Sequence, residues 1–145
     1  MTRIDFYIVA GDSARHSEVV CSLSHKASRG GQRVYVYTPD EASAASLDQR
    51  LWTWRDTSFL PHARFGEPEA EHAPVVLGHV DPGAWAGDVL INLHPEVPGF
   101  FARFNRVLEV VDADPENRRR GRVRYRHYQE RGYALEVHDL GAAGA

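Results

Sequence analysis

The feature that most constrains the fold is a regular alternation of short apolar runs with amphipathic stretches. The run "RIDFYIVA" is rich in β-branched and aromatic residues and ends at Gly11, which is typical of a buried strand. The next stretch, "DSARHSEVVCSLSHKASRGG", repeats apolar residues at helical spacing and stops at two glycines. Asp12 or Ser13 can accept hydrogen bonds from its first amides, so a helix is expected to begin there.

The same alternation continues towards the end of the chain. Strands are predicted for "QRVYVYT", "APVVLG", "DVLINL" and "RVLEVVD". Helices are predicted for "PDEASAASLDQRLWTW", "VPGFFARFN" and "PENRRRGRVRYRHYQERG". Residues 67–74 are expected to form a loop, because acids and prolines interrupt them. This order predicts a single three-layer α/β domain, residues 1–145, with a mostly parallel sheet flanked by helices.

The turn after the first strand bears on nucleotide binding. It reads "VAGDSARHS", with one glycine and neither the G-x-G-x-x-G spacing nor a G-K-[ST] motif. Asp12 also puts a negative charge where a phosphate would approach the start of the helix. We therefore predict a Rossmann-like fold without a phosphate-binding loop, and no nucleotide or other cofactor.

Several classes of protein are excluded or disfavoured by composition. The single cysteine, Cys21, excludes an intramolecular disulfide, and its place in a helical pattern predicts packing in the core. The eight histidines are scattered without metal-ligand spacing, so no metal site is predicted. No apolar stretch is long enough to span a membrane and the first residues lack a signal-peptide layout, so a cytoplasmic location is expected. No catalytic constellation is recognisable, so an enzyme is not expected.

A net charge of −3 conceals a strongly basic segment near the C-terminus, since residues 118–129 contain six arginines and no acid. Arg118, Arg122 and Arg126 follow one another at i, i+4 and i+8 along one helical face, and Tyr125 projects between them. Guanidinium groups beside an aromatic ring suit a partly apolar ligand with a carboxylate. A solvated arginine-rich face is the alternative, and the residues alone leave it open.

The stretch "LDQRLWTWRDTSFLPHARFGE" holds four aromatic residues among charged ones. Trp52 closes a helical pattern, and Phe59, Leu60 and Pro61 follow a short polar turn. Large apolar residues at a helix end and in the loop after it are typical anchors for a protein partner. Rings that seal the core are the alternative, and it stays open at this point.

This stretch resembles the signature of the chi-subunit family of bacterial DNA polymerase III, in which a Leu-Asp-x-x-Leu-Trp helix end precedes a Ser-Phe-[Val/Leu]-Pro-His loop. The similarity extends over nearly the whole chain, through "DFYIVAGD", "GQRVYVYTPDE", "DVLINL", "FARFNRVLEVVD" and "RYRHYQERGYAL". The resemblance implies a non-catalytic accessory subunit of the replicase that meets DNA only indirectly. A protein that binds single-stranded nucleic acid directly is the alternative.

The resemblance also implies a partner for each surface. The surface expected to face the psi subunit of the clamp loader comprises Trp52, Phe59, Leu60 and Pro61. A second surface is expected to bind the acidic C-terminal tail of the single-stranded DNA-binding protein, which ends in a Pro-Phe carboxylate. Its residues are Arg118, Arg122, Tyr125 and Arg126.

Overall fold

Seven parallel strands form one open sheet in the computed structural model, which describes residues 1–11, 13–54 and 60–141. The strands are β1 (Arg3–Val9), β2 (Val34–Tyr37), β3 (His62–Arg64), β4 (Val75–Gly78), β5 (Val89–Asn92), β6 (Arg106–Val111) and β7 (Ala134–Gly141). The helices are α1 (Ser13–Arg29), α2 (Glu41–Thr53) and α3 (Pro115–Glu130). Across the sheet the strands run β3-β4-β2-β5-β6-β1-β7, and every pairing is parallel, which confirms the predicted α/β fold class.

The helices bury the two faces of the sheet in separate cores. On one face, Val20 and Cys21 of α1 and Leu47 of α2 pack against alternate strand residues. Cys21 is fully buried, as its helical pattern predicts. On the other face, Tyr128 of α3 packs with Phe6 and the aromatic residues that precede β6. No helix within the described ranges is long and apolar enough to cross a membrane.

The helix predicted for "VPGFFARFN" is wrong. The segment forms only one 3-10 turn, Phe101–Arg103, and its backbone becomes extended at Phe104. Phe100, Phe101 and Phe104 are spaced like the apolar face of a helix, but all three are buried against the sheet. Their apolar spacing therefore reflects packing onto strands that α3 does not cover.

Two strands and one turn of the structure were not predicted from the sequence. β3 has only three residues, and β7 alternates apolar with charged residues at the edge of the sheet. The segment expected to be a loop at residues 67–74 contains a 3-10 turn, Pro68–Glu71, with Ala70 buried beneath it. Short or half-exposed elements carry little apolar periodicity, so the sequence gives no clear sign of them.

Candidate protein-docking sites

The start of α3 is determined by local capping. The Asp114 carboxylate accepts a hydrogen bond from the backbone N–H of Asn117 at 3.0 Å, and Pro115 occupies the first turn. The Asp112 carboxylate accepts hydrogen bonds from the Asn117 side chain, and the Asp112 carbonyl accepts one from Arg118 Nε at 3.1 Å. These contacts place Arg118 at the carboxyl end of β6.

A buried polar cluster then fixes the rotation of α3 on the sheet. The Glu109 carboxylate of β6 accepts hydrogen bonds from Arg124 Nε at 2.8 Å and from the Tyr128 hydroxyl at 2.7 Å, both on the inner side of α3. It also accepts one from Asn92 Nδ2 of β5 at 2.9 Å. Burial raises the pKa of Glu109, and the Arg124 charge and these donors oppose that rise. With Arg124 and Tyr128 held inwards, the neighbouring residues of α3 take defined positions.

Some of these α3 residues border a shallow pocket of about 200 Å³ between α3 and the sheet. Its helical side consists of Arg118, Gly121, Arg122 and Tyr125. Its apolar walls come from β1, β6 and β7, through Phe6, Ile8, Val111 and Val137. The Tyr125 ring meets the Phe6 ring edge to face, with the centroids 5.4 Å apart. Arginine groups therefore border an apolar space about the size of one side chain.

Gly121 makes the close approach of α3 to the sheet possible. A Cβ atom at this position would lie 3.0 Å from Cγ2 of Val111 in β6, which is tighter than most Cβ contacts and would require Val111 or the helix to shift. The glycine in the helix costs about 1 kcal/mol relative to alanine. Here it lets the helix backbone form part of the pocket.

Three of the four predicted residues of the basic surface thus meet at one pocket: Arg118, Arg122 and Tyr125. Arg126 is exposed one turn further along and is not among the residues that line the pocket. The apolar walls were missed by the sequence reasoning. Phe6 and Ile8 could have been predicted to lie side by side, because they alternate in the "DFYIVA" run and alternate residues share one face of a strand.

The second predicted surface lies at the end of α2, on the other face of the sheet. Trp52 is 54% exposed, and Pro61 is exposed as well. Leu60 is 3% exposed and packs in the core with α1 and α2, so its side chain supports this segment from inside. Phe59 lies outside the described residues.

His62 connects the parts of this surface. Its Nδ1 lies 2.7 Å from the Leu60 carbonyl oxygen, and its Nε2 lies 3.1 Å from the Asp48 carboxylate of α2. The Trp52 ring packs against the His62 ring, with the centroids 4.4 Å apart. The His62 side chain is fully buried, so the half-exposed Trp52 ring packs on a residue of the protein interior.

The histidine and acids nearest to a metal-ligand arrangement in the described ranges are Asp5, Glu136 and His138. Arg106 Nε lies 2.7 Å from the Asp5 carboxylate, and Arg3 Nε lies 3.6 Å from it. Burial alone would raise the pKa of Asp5, but hydrogen bonds from Arg106 and His138 hold it below its ordinary value. The guanidinium groups already compensate the buried charge, which makes this an ion-pair cluster.

Nucleotides commonly bind open α/β sheets at the carboxyl ends of the strands. Here that edge has a cleft of about 480 Å³ lined by Thr38 and Asp40, which follow β2, and by residues of α1 and α2 such as Ser43. None of the described residues that line it is a lysine or arginine. Gly11, at the neighbouring turn, has a φ of +114° and belongs to no glycine-rich loop.

We therefore expect no binding of ATP or NAD at the cleft or the Gly11 turn. The described lining of the cleft has no lysine or arginine, and its Asp40 side chain already accepts a hydrogen bond from the Ser43 amide at the start of α2. The Gly11 turn lacks the glycine spacing of a phosphate-binding loop. Calorimetric titration at millimolar nucleotide concentration checks this expectation. Saturable heat that disappears in a Gly11→Val variant would contradict it.

Comparison with known proteins places the chain in a family. The family model described as "DNA polymerase III chi subunit, HolC" matches residues 1–136. The chain is 44% identical over 141 residues to the DNA polymerase III subunit chi of Pseudomonas aeruginosa, covering 97% of this chain and 98% of that protein. It is 28% identical over 144 residues to the subunit chi of Haemophilus influenzae, covering 94% of this chain and 96% of that protein. For the Escherichia coli subunit chi the identity is 28% over 143 residues, with coverage of 94% and 97%. These matches confirm the resemblance seen in "LDQRLWTWRDTSFLPHARFGE", and the chain belongs to the DNA polymerase III chi subunit family.

Proposed function

We propose that this chain is a non-catalytic accessory subunit of the DNA polymerase III holoenzyme in the bacterial cytoplasm. In this role it joins the psi subunit of the clamp loader to the acidic C-terminal tail of single-stranded DNA-binding protein. The observation that carries the proposal is the arginine-bordered apolar pocket on α3, on the face of the sheet opposite Trp52. Because the two surfaces are on different faces, both partners can bind at once.

The pocket matches the chemistry of a peptide that ends in phenylalanine. A phenyl ring fits a space of about 200 Å³ and can meet Tyr125 and Phe6 edge to face. Arg118 and Arg122 border that space, so a guanidinium group can take the terminal carboxylate in a bidentate pair. Arg126, exposed one turn away, offers positive charge to acidic residues further up the tail.

The terminal carboxylate is therefore expected to be essential. A tail peptide with an amidated C-terminus should bind at least about tenfold more weakly than the same peptide with a free carboxylate, because a charge-assisted hydrogen bond is lost. Calorimetry with the two peptides measures the difference. Equal affinities would show that the arginines do not clamp the carboxylate.

The psi-facing surface is centred on the exposed Trp52, and Pro61 is exposed as well, whereas Leu60 is buried. Phe59 is assigned to this surface from the sequence alone. Large exposed aromatic side chains supply much of the binding free energy at protein interfaces. The Trp52 ring already packs against the buried His62 ring, which lies next to Asp48. Less side-chain entropy is therefore lost when a partner binds.

Replacing Trp52 by alanine should cost roughly 2 kcal/mol or more of psi binding. The free energy of unfolding should change much less than the 3–5 kcal/mol typical of a truncated core aromatic, because the ring is half exposed. Binding titrations and denaturant unfolding of the same variant measure both quantities.

Two controls make the Trp52 result specific. Trp54→Ala should instead lower stability, because Trp54 packs against the α1–α2 core and the His25 ring. Val123→Ala should leave psi binding unchanged, since Val123 is equally exposed but belongs to α3. A Trp52→Ala variant that loses stability and keeps its affinity would assign the ring to the core.

The non-catalytic role is supported by the one thiol of the chain. Cys21 is fully buried, and burial raises its pKa to about 11, so it is protonated near neutral pH. A protonated, inaccessible thiol cannot act as a nucleophile. Its surroundings are those of a core residue.

Direct binding of single-stranded nucleic acid is the alternative function, and the tyrosines near α3 argue against it. Such binding needs exposed ring faces on which bases stack. Tyr128 is fully buried, Tyr125 packs against Phe6, and Tyr133 packs against Phe101. Tight binding of bare single-stranded DNA in an electrophoretic shift assay would favour this alternative.

A further inference from the structure

The strand β7 presents a long open edge next to the α3 pocket. It pairs with β1 on one side, and no described strand lies along its other side. Its eight residues include neither proline nor lysine, which commonly block such edges. Val137, near its middle, is 55% exposed. An outer strand of this kind can accept an extended peptide as a further strand.

The edge and the pocket share one residue. Val137 lies opposite Phe6 in the β1–β7 register, and both side chains line the pocket. Val137 thus forms one side of the pocket, and Arg122 is part of the helical side. A peptide whose last side chain fills the pocket can leave it past either residue. The exit past Val137 leads directly onto the open edge of β7.

We propose that the residues preceding the terminal dipeptide of the bound tail lie extended along β7 and pair with its backbone as an eighth strand. This inference rests on the proposed function, because it describes the path of the same tail. Pairing of this kind satisfies the backbone hydrogen-bonding groups of both edges and adds affinity that is independent of peptide charge.

The charges along β7 are compatible with an acidic peptide in a restricted register. Glu136 is paired with Arg3, so its charge is compensated. Strand side chains alternate between the two faces, so every second acid of the peptide points to the face that carries Arg122 and Arg126. Asp139 disfavours an acid directly opposite it, and we expect a neutral peptide residue there.

Backbone N-methylation of a synthetic tail peptide tests the pairing without changing its charge. In an extended strand, alternate amides point to the neighbour, so methylation at alternate positions should lower the affinity about fivefold. Methylation at the positions between them should have little effect. A flat profile across all positions upstream of the terminal dipeptide would overturn the inference.

Hydrogen exchange of the protein supplies a second readout. Saturating unmodified peptide should slow the exchange of outward-facing amides in β7, and exchange in the distant strand β3 should stay unchanged. Pocket residues that respond while β7 amides do not would also overturn the inference. So would a protein that sediments as a dimer with these amides already protected, because a second copy would then occupy the edge.

The failure of this inference is distinguishable from the failure of the proposed function. If the peptide binds and depends on Arg122 but shows a flat N-methylation profile, the pocket stands and the strand pairing falls. If the unmodified peptide does not bind at all, the proposed function itself is wrong.

Discussion

Reversal of Arg122 to glutamate should weaken binding of the acidic tail peptide by tenfold or more, about 1.4 kcal/mol at least. Arg122 borders the pocket at the place where the terminal carboxylate is expected, so the substitution replaces a local attraction by a repulsion. Exposed charges are screened within about 8–10 Å at physiological ionic strength. Affinity of the unaltered protein should therefore fall as salt rises from roughly 50 to 300 mM, and the variant should show a flatter dependence. Fluorescence anisotropy with a labelled peptide measures both effects.

Arg119→Glu is the matched control for this experiment. It changes the net charge of α3 by the same amount, but Arg119 lies outside the pocket and pairs with Glu116 on the surface. Arg126→Glu should give an intermediate loss, because Arg126 is close to the pocket without lining it. Wild-type affinity in Arg122→Glu, or an equal loss in Arg119→Glu, would show that the pocket is not the binding site.

Replacement of Arg124 by methionine should destabilise the fold by about 3–5 kcal/mol, because it leaves the buried Glu109 carboxylate without its countercharge. Arg120→Met, one turn earlier, should cost less than about 1 kcal/mol, since Arg120 makes an exposed ion pair with Glu116. Denaturant unfolding of the two variants gives the comparison. Similar losses in both would mean that the buried cluster does not hold α3 on the sheet.

The pH dependence of the Arg124→Met variant tests the cause. Burial raises the pKa of Glu109, and the Arg124 charge opposes that rise. Without Arg124 the native state of the variant should therefore hold the Glu109 proton at a higher pH than the native state of the unaltered protein does. Protonation thus favours the native state, and the loss of stability should be smaller at about pH 5 than at about pH 7. Adding Glu109→Gln to Arg124→Met should recover part of the loss at neutral pH. A deficit that is the same at both pH values would exclude an uncompensated Glu109 charge as its cause.

The buried cluster also shows where sequence reasoning stops. Arg124 belongs to the arginine-rich segment by sequence, yet it is buried and serves the core, whereas Arg122 two residues away is exposed. Helical spacing separates the two positions onto different faces but does not say which face meets the sheet. The lone Glu109 in the apolar run "RVLEVVD" was a sign of a buried partner, because a charge in a buried strand needs compensation.

The sequence by itself determined five of the seven strands, the three α-helices, the family, and the grouping of Arg118, Arg122 and Tyr125 on one helix. Apolar periodicity, helical spacing and capping depend on neighbours within a few residues, so the chain expresses them directly. Only the tertiary structure decided that Phe6, Val111 and Val137 form the pocket walls, because they meet only when β6, β1 and β7 lie side by side. The same pairing makes β7 the outer strand, because a strand's place in a sheet depends on contacts between residues far apart in the chain.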